Sequence, residues 1–419
     1  MKPDPLAGAV QASAPRQRRA LTHVGGEVTV VGNREMGARL ASALDVEPPS
    51  DDESDRDHVH GFHAYPARLH PTTAARLVTA LANERATVLD PFCGSGTIVV
   101  EAMLAGRRAL GTDLNPLAVR LTRLKTAPHD RNELSSVLSI ARDVARFADD
   151  RRMRRAGATH RFPPEDVALF DPHVLLELDS LRTGLLAETS DLPAVRDALE
   201  LVLSAILTKV SRRASDSSEA QVKKRIRAGF AAELFARKAE ELTVRLAQFA
   251  DRLPAGVPAA MVEMDDAARL RTIPASSVDV VVTSPPYAAT HDYVAHHAAR
   301  MRWLGLDGRS FETYEMGSRR HYAKVAPDEA RAEWSRELAR ALKSLARACR
   351  PGGLLALVIG DSAVHGEALR ADEIVASVAS ACGLVLVARA SQRRPHFHAP
   401  TAHAFEKTPR CEHAILLRK

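Results

Sequence analysis

The chain has 419 residues, of which 45% are hydrophobic and 26% charged, a balance that suits a soluble globular protein with a sizeable core in one large interrupted domain or two to three smaller ones. No apolar run reaches the roughly 18 residues of a membrane span, the N-terminus has no apolar signal core, and the four cysteines, Cys93, Cys349, Cys382 and Cys411, show no metal or disulfide spacing, so a reduced cytoplasmic protein is expected. The formal charge of +6 and pI near 9.3 favour a polyanionic partner only mildly for this length.

Residues 1–55 read as a partly disordered extension. They are rich in Pro, Gly and Ser, end in the acidic stretch EPPSDDESDRD (47–57), and hold one short strand candidate, VTVVG (28–32). From about residue 60 the pattern becomes regular. PTTAARLVTALANE (71–84) predicts a helix, ATVLD (86–90) a buried strand, GTIVVEAMLAG (96–106) a helix closed by Gly106, and RALGTDL (108–114) a second strand. Strand, helix and strand in this order predict a βαβ unit with a parallel pair. Residues 126–254 carry helical periodicity with almost no strand signal and read as a helical insertion. Alternation then resumes with strands AAMVEMD (259–265) and VDVVVTS (278–284), a helix over 333–350 stopped by PGG, a strand LLALVIGD (354–361), a helix over 372–383, and a closing strand pair, LVLVARASQ and EHAILLRK. The expected fold is α/β, a doubly wound Rossmann-like core formed by 56–125 and 255–419 and interrupted by the insertion.

Two stretches carry chemistry. In VLDPFCGSGTIVVEA a strand runs through a glycine loop into a helix, and Gly94 and Gly96 allow a tight turn and close backbone approach to a ligand. An ordinary dinucleotide turn explains a bare pair of glycines equally well. Two acids sharpen the reading. Asp90 ends the first strand, where a carboxylate suits a cationic group better than a pyrophosphate. Asp113 ends the next strand, where it can accept the hydroxyls of a ribose. A nucleoside with a positively charged amino-acid tail fits both, which points to S-adenosylmethionine.

The second stretch is VVVTSPPYAATHDY (280–293). Its buried strand leaves through a rigid Pro285–Pro286 step, with Ser284 before it and Tyr287 after it. Proline has no N–H and a fixed φ, so such a step presents acceptors without donors.

DPFCGSGT together with TSPPY resembles the motif pair of the amino-methyltransferases that act on the N4 of cytosine or the N6 of adenine in DNA. The likeness covers about 60–125 and 258–365. It implies a doubly wound methyltransferase core and S-adenosylmethionine as cofactor. Asp90, Phe92, Gly94 and Gly96 would surround the methionine part, and Asp113 the ribose. Asp265 would sit near the adenine, with its neighbour Asp266 competing for that role. FHAYPARLHP (62–71) resembles the family segment ahead of the cofactor loop, with Arg68 where Lys is common. Ser284, Pro285, Pro286 and Tyr287 would be catalytic. An exocyclic amine is a poor nucleophile because its lone pair is delocalised into the ring. Ser284 Oγ and the Pro285 carbonyl would accept hydrogen bonds from its N–H groups as positive charge develops, and Tyr287 would stack on a flipped base. Serine at 284 favours N4 of cytosine over N6 of adenine. Many members place the catalytic motif first, whereas here the glycine loop comes first. The likeness also implies DNA methylation of the kind found in restriction–modification systems.

DNA contacts are expected from the insertion, where 201–240 holds nine Lys/Arg against four Asp/Glu. Lys209, Arg212, Arg213, Lys223, Lys224 and Arg225, with Arg227, flank a Ser-rich break and suit phosphates. Beyond the catalytic motif, Arg319 and Arg320 are interleaved with Tyr293, Trp303, Tyr314 and Tyr322. Asp292 and Tyr293 are candidates for the base pocket, and Trp303 for the core. His396, His398 and His403 are too loosely spaced for a metal site, and methyl transfer needs none. No metal and no membrane are expected as partners, and the oligomeric state is left open. The rival readings are an RNA guanine-N2 methyltransferase, which shares the DPFCGSGT loop, and a non-catalytic DNA-binding module.

Overall fold

The computed structural model describes residues 26–46, 57–215, 218–395 and 399–419. The acidic stretch 47–56 and two of the three loop histidines, His396 and His398, lie outside them. In chain order the elements begin with β1 (Val28–Gly32), α1 (Arg34–Leu44), a 3₁₀ turn (His58–Gly61), α2 (Pro71–Leu81), β2 (Thr87–Asp90), α3 (Thr97–Leu104), β3 (Arg108–Asp113) and α4 (Pro116–Thr126). Then come α5 (Arg131–Met153), α6 (Pro164–Leu169), α7 (Pro172–Glu188), α8 (Pro193–Val210), a hairpin β4 (Arg213–Ser215) and β5 (Ser218–Gln221), and α9 (Phe230–Arg252). The second half holds β6 (Met261–Met264), β7 (Val278–Thr283), α10 (Tyr293–Leu304), α11 (Arg309–Tyr314), α12 (Arg319–Tyr322), α13 (Pro327–Ala348) and β8 (Cys349–Gly360). A small hairpin β9 (Ser362–Val364) and β10 (Glu367–Leu369) follows, then α14 (Ala371–Ala381), β11 (Val385–Arg393) and β12 (Cys411–Arg418).

Eight strands form one sheet in the order β1-β11-β12-β8-β7-β2-β3-β6. The block β8-β7-β2-β3-β6 is parallel, and β12, β11 and β1 add on antiparallel. The central parallel strands β2, β7 and β8 carry runs of Val, Leu and Ile because helices cover both faces. Side chains alternate between two cores, as a strand period of two requires. Val88, Val280, Val282, Ala356 and Val358 enter the core beneath α2, α3 and the insertion. Leu89, Val281, Leu355, Leu357 and Ile359 enter the core beneath α13 and α14.

Starting from β2 the chain builds outward through β3 and β6, then returns to the other side of β2 with β7 and β8. The winding reverses between β2 and β7, and the crevice above their carboxyl ends is where such a sheet takes a ligand. The motif VTVVG is strand β1, which lengthens the sheet at the β11 edge. The region read as helical with almost no strand signal contains the β4–β5 hairpin, whose polar residues gave no period-two signal. The helix expected from 333 starts earlier, at Pro327, where proline fits the first turn because its missing N–H has no partner to lose.

Candidate active site

A cavity of ≈ 510 Å³ opens at the carboxyl ends of β2, β3 and β7, and both sequence motifs line it: Asp90, Phe92, Gly94 and Asp113 on one side, Ser284 and Pro286 on the other. One hydrogen bond joins the two motifs directly, from Thr283 Oγ1 to Asp90 Oδ1 at 2.7 Å. Asp90 is buried, at 3% exposure, and the same oxygen accepts from the Phe92 N–H at 3.2 Å. Burial pushes its carboxyl up to about 7.

The glycine loop is held from behind. Thr122 Oγ1 donates to the Gly94 carbonyl at 3.0 Å, and the buried Lys125 ammonium donates to the Ser95 carbonyl at 2.7 Å. Gly96 has φ +84 and is the N-cap of α3; a Cβ there would meet Thr122 at 2.8 Å, so only glycine fits. Asp113 spans the loop and the next helix, with Oδ2 accepting from Gly94 N–H and Oδ1 from Asn115 N–H, both at 2.8 Å. Burial raises its carboxyl to about 6.

The remaining wall is aromatic and acidic. Tyr65, Tyr293, Phe311 and Tyr314 supply rings, and the side chain of Arg269 lies over Tyr314 at 4.9 Å. Six carboxylates (Asp90, Asp113, Asp266, Glu315, Glu333, Glu337) line the cavity against three arginines (Arg68, Arg269, Arg340). Such a surplus disfavours a pyrophosphate and favours a ligand with positive charge. Ser95 Oγ and Thr97 Oγ1 line the same cavity, buried and without a hydrogen-bond partner. These unsatisfied hydroxyls, the glycine that lies against Tyr65, and the buried acids fit the amino-acid and ribose parts of S-adenosylmethionine.

Several expected roles fall differently. Asp265 turns inward, where Oδ2 accepts from the N–H and hydroxyl of Thr272, each at 2.7 Å. Of the two competing acids it is Asp266 that lines the cavity, and Asp265 does not. Pro285 is buried behind the step. Tyr287 leaves the cofactor side and packs toward β8 and β12, where its hydroxyl donates to Glu412 Oε1 at 3.0 Å. Burial raises its phenol well above the usual range, with Ser284 also in hydrogen-bonding reach. Asp292 is buried beneath Arg319 and Arg320 rather than in the cavity, whereas Tyr293 lines it. Trp303 is core, edge-on to Phe170 at 6.0 Å.

The basic cluster of the insertion divides in two. Lys209, Lys223 and Arg225 are exposed. Arg212 pairs with Asp171 at 2.7 Å, Arg213 donates to the carbonyls of Ala295 and His296, and Lys224 donates to the Thr208 carbonyl at 3.0 Å. Those three tie the hairpin and its flanks to α7, α10 and α8 respectively, because a partly buried cation takes whatever acceptor its surroundings offer. The sequence reading missed Tyr65, Ser95, Thr97 and Thr283. All four stand within or beside quoted motifs, so position in the motif was the only signal.

A family model described as DNA methylase matches residues 42–123. The type II methyltransferase M.MvaI of Kocuria varians is 36% identical over 87 residues, 20% of this chain and 19% of that protein. The type II methyltransferase M.MjaII of Methanocaldococcus jannaschii is 29% identical over 108 residues, 25% of this chain and 20% of that protein. A tRNA (guanine(10)-N2)-dimethyltransferase of Methanothermobacter thermautotrophicus is 35% identical over 91 residues, 21% of this chain and 26% of that protein. The chain thus spans about a fifth to a quarter of the length of these relatives. An S-adenosylmethionine-dependent methyltransferase of Methanosarcina mazei superposes with a TM-score of 0.31 at 11% identity, over 85% of this chain and 98% of that one. The strand order, not this superposition, carries the fold. The segment 42–123 is thus similar to the DNA methylase family, and it lies on the doubly wound sheet described above.

Proposed function

We propose that the chain transfers a methyl group from S-adenosylmethionine to an exocyclic amine of a base in DNA, the N4 of cytosine in the first instance. The reading rests on the shared cavity, in which the Asp90–Gly96 loop and the Ser284–Pro286 step meet across the Asp90–Thr283 hydrogen bond. When bound, the cofactor supplies a methyl group on a positively charged sulfur. Asp90 and Asp113 hold the amino-acid and ribose parts, and Ser95 and Thr97 complete their hydrogen bonds. Ser284 Oγ and the Pro285 carbonyl accept hydrogen bonds from the amine as positive charge develops on nitrogen, and the one proton lost after methyl transfer passes to solvent. Acceptors held rigid by the fold need no reorganisation, which is where their catalytic value lies. Tyr287, tied to Glu412, forms a fixed wall on the β8 side against which an extruded base would rest. The choice of cytosine over adenine rests on Ser284 alone.

The matched tRNA methyltransferase gives a second reading, an RNA guanine N2. Purified protein with methyl-labelled cofactor, offered duplex DNA and tRNA separately, tests both, followed by nucleoside mass spectrometry of the product. N4-methylcytosine in DNA supports the first reading. N6-methyladenine moves the target base, N2-methylguanine in tRNA replaces the reading, and label in neither overturns it.

A further inference from the structure

Behind the cofactor loop, outside the cavity, lies a second cluster that methyl transfer does not use. His58 and His60 stand on the 3₁₀ turn, opposite Glu101 on α3. His60 Nε2 and Glu101 Oε1 are 2.7 Å apart, and one ligand atom from each of the three residues lies within 4.8 Å of the others. Their exposures are 4%, 1% and 9%. His58 Nδ1 and His60 Nδ1 are buried without a hydrogen-bond partner. An unpaired buried polar nitrogen costs about 1–3 kcal/mol. The His60–Glu101 contact satisfies one side of one ring, and the His58 ring packs on His60 and Phe249.

We infer that His58, His60 and Glu101 form a binding site for a zinc ion, with water in the fourth position. Two imidazoles and a carboxylate are a donor set that zinc takes, at about 2.0–2.2 Å per ligand. Tetrahedral ligands at those lengths lie roughly 3.4 Å apart, inside the 4.8 Å within which the three ligand atoms are gathered here. The nearby cations are engaged elsewhere. Arg252 pairs with Asp57, Arg245 with Glu241 at 2.8 Å and with the His58 carbonyl at 2.7 Å, and Lys125 with the Ser95 carbonyl. The role of the ion is positional. The turn leads directly into Tyr65–Leu69, and α3 follows the Gly96 cap, so that segment and the glycine loop would both be pinned from behind.

The test uses the full chain, stripped with a chelator, dialysed and titrated with Zn²⁺ by calorimetry, with Co²⁺ absorption reporting the coordination geometry. One tight equivalent is expected, with a rise in Tm on zinc addition. His60→Ala and the near-isosteric Glu101→Gln, each checked for fold by circular dichroism, should weaken zinc at least tenfold. Asp372→Asn should not; it lies in a separate Asp361–Asp372–His413 cluster where Asp361 pairs with His413 and Arg370 and Asp372 pairs with Arg389. Absence of a tight equivalent, or one that survives both His60→Ala and Glu101→Gln, overturns the site. Neither cofactor nor nucleic acid enters this measurement, so its failure leaves the methylation reading standing.

Discussion

Under the proposed function, Ser284 and Asp90 serve separate tasks within one cavity. Ser284 is expected to act on the amine and not on the cofactor. Ser284→Ala should therefore lower methyl transfer by about 10²–10³-fold while cofactor affinity stays within about twofold; equal loss of both, measured by single turnover and calorimetry, removes Ser284 from the amine. Asp90 carries a pH signature. Its folded carboxyl, held at about 7, is raised above its ordinary value near 3.8. The neutral form is therefore favoured by folding. That contribution is complete below about pH 4 and lost as pH rises through 7. The Tm of the cofactor-free protein should fall between pH 5 and pH 8, and Asp90→Asn should remove part of that slope. A cationic ligand needs the carboxylate, so its affinity should rise over the same interval, with protons released on binding. Calorimetry at pH 6.5 in buffers of different ionisation enthalpy reads that release directly. Residue types could be read from the motifs, but directions could not. Asp265 and Asp266 are neighbours at a strand exit and point to opposite sides. The turn to Thr272 claims one of them, and nothing local in the sequence chooses which.

At the scale of elements, the insertion was legible as helix because α5, α8 and α9 each keep a regular apolar stripe. The hairpin was not, since β4 and β5 are short, polar and stabilised by what they touch. Arg213 shows the difference. As a sequence feature it joins a basic cluster, whereas in the fold it ties β4 to the carbonyls of α10. Arg213→Ala should lower Tm by several degrees, in line with loss of hydrogen bonds from a charged group worth about 1.5–3 kcal/mol each. Replacing Lys209, Lys223 and Arg225 together by alanine should leave Tm nearly unchanged. If these side chains meet phosphates, that variant should reduce the slope of log binding constant against log salt by about 2–3, measured by fluorescence anisotropy on duplex DNA. An unchanged slope would move the nucleic-acid surface away from the insertion.

Across the whole molecule, one core joins the sheet to the insertion. Val88 and Val280 from the sheet share a single buried cluster with Val137, Leu203 and Phe235 from the insertion. Unfolding should therefore give one calorimetric transition; two resolved transitions would show that the insertion folds on its own. By itself the sequence determined the alternation of strands and helices, the two motifs and the cofactor class they resemble, because hydrophobic period, glycine conformation and strand-ending acids are local properties of a chain. Only the tertiary structure decided that Asp90 meets Thr283 across 193 positions, that Asp266 rather than Asp265 faces the cavity, and which basic residues stay exposed. Those outcomes depend on sheet order and on competition for buried hydrogen-bond partners, and a chain settles both only when distant segments close on one another.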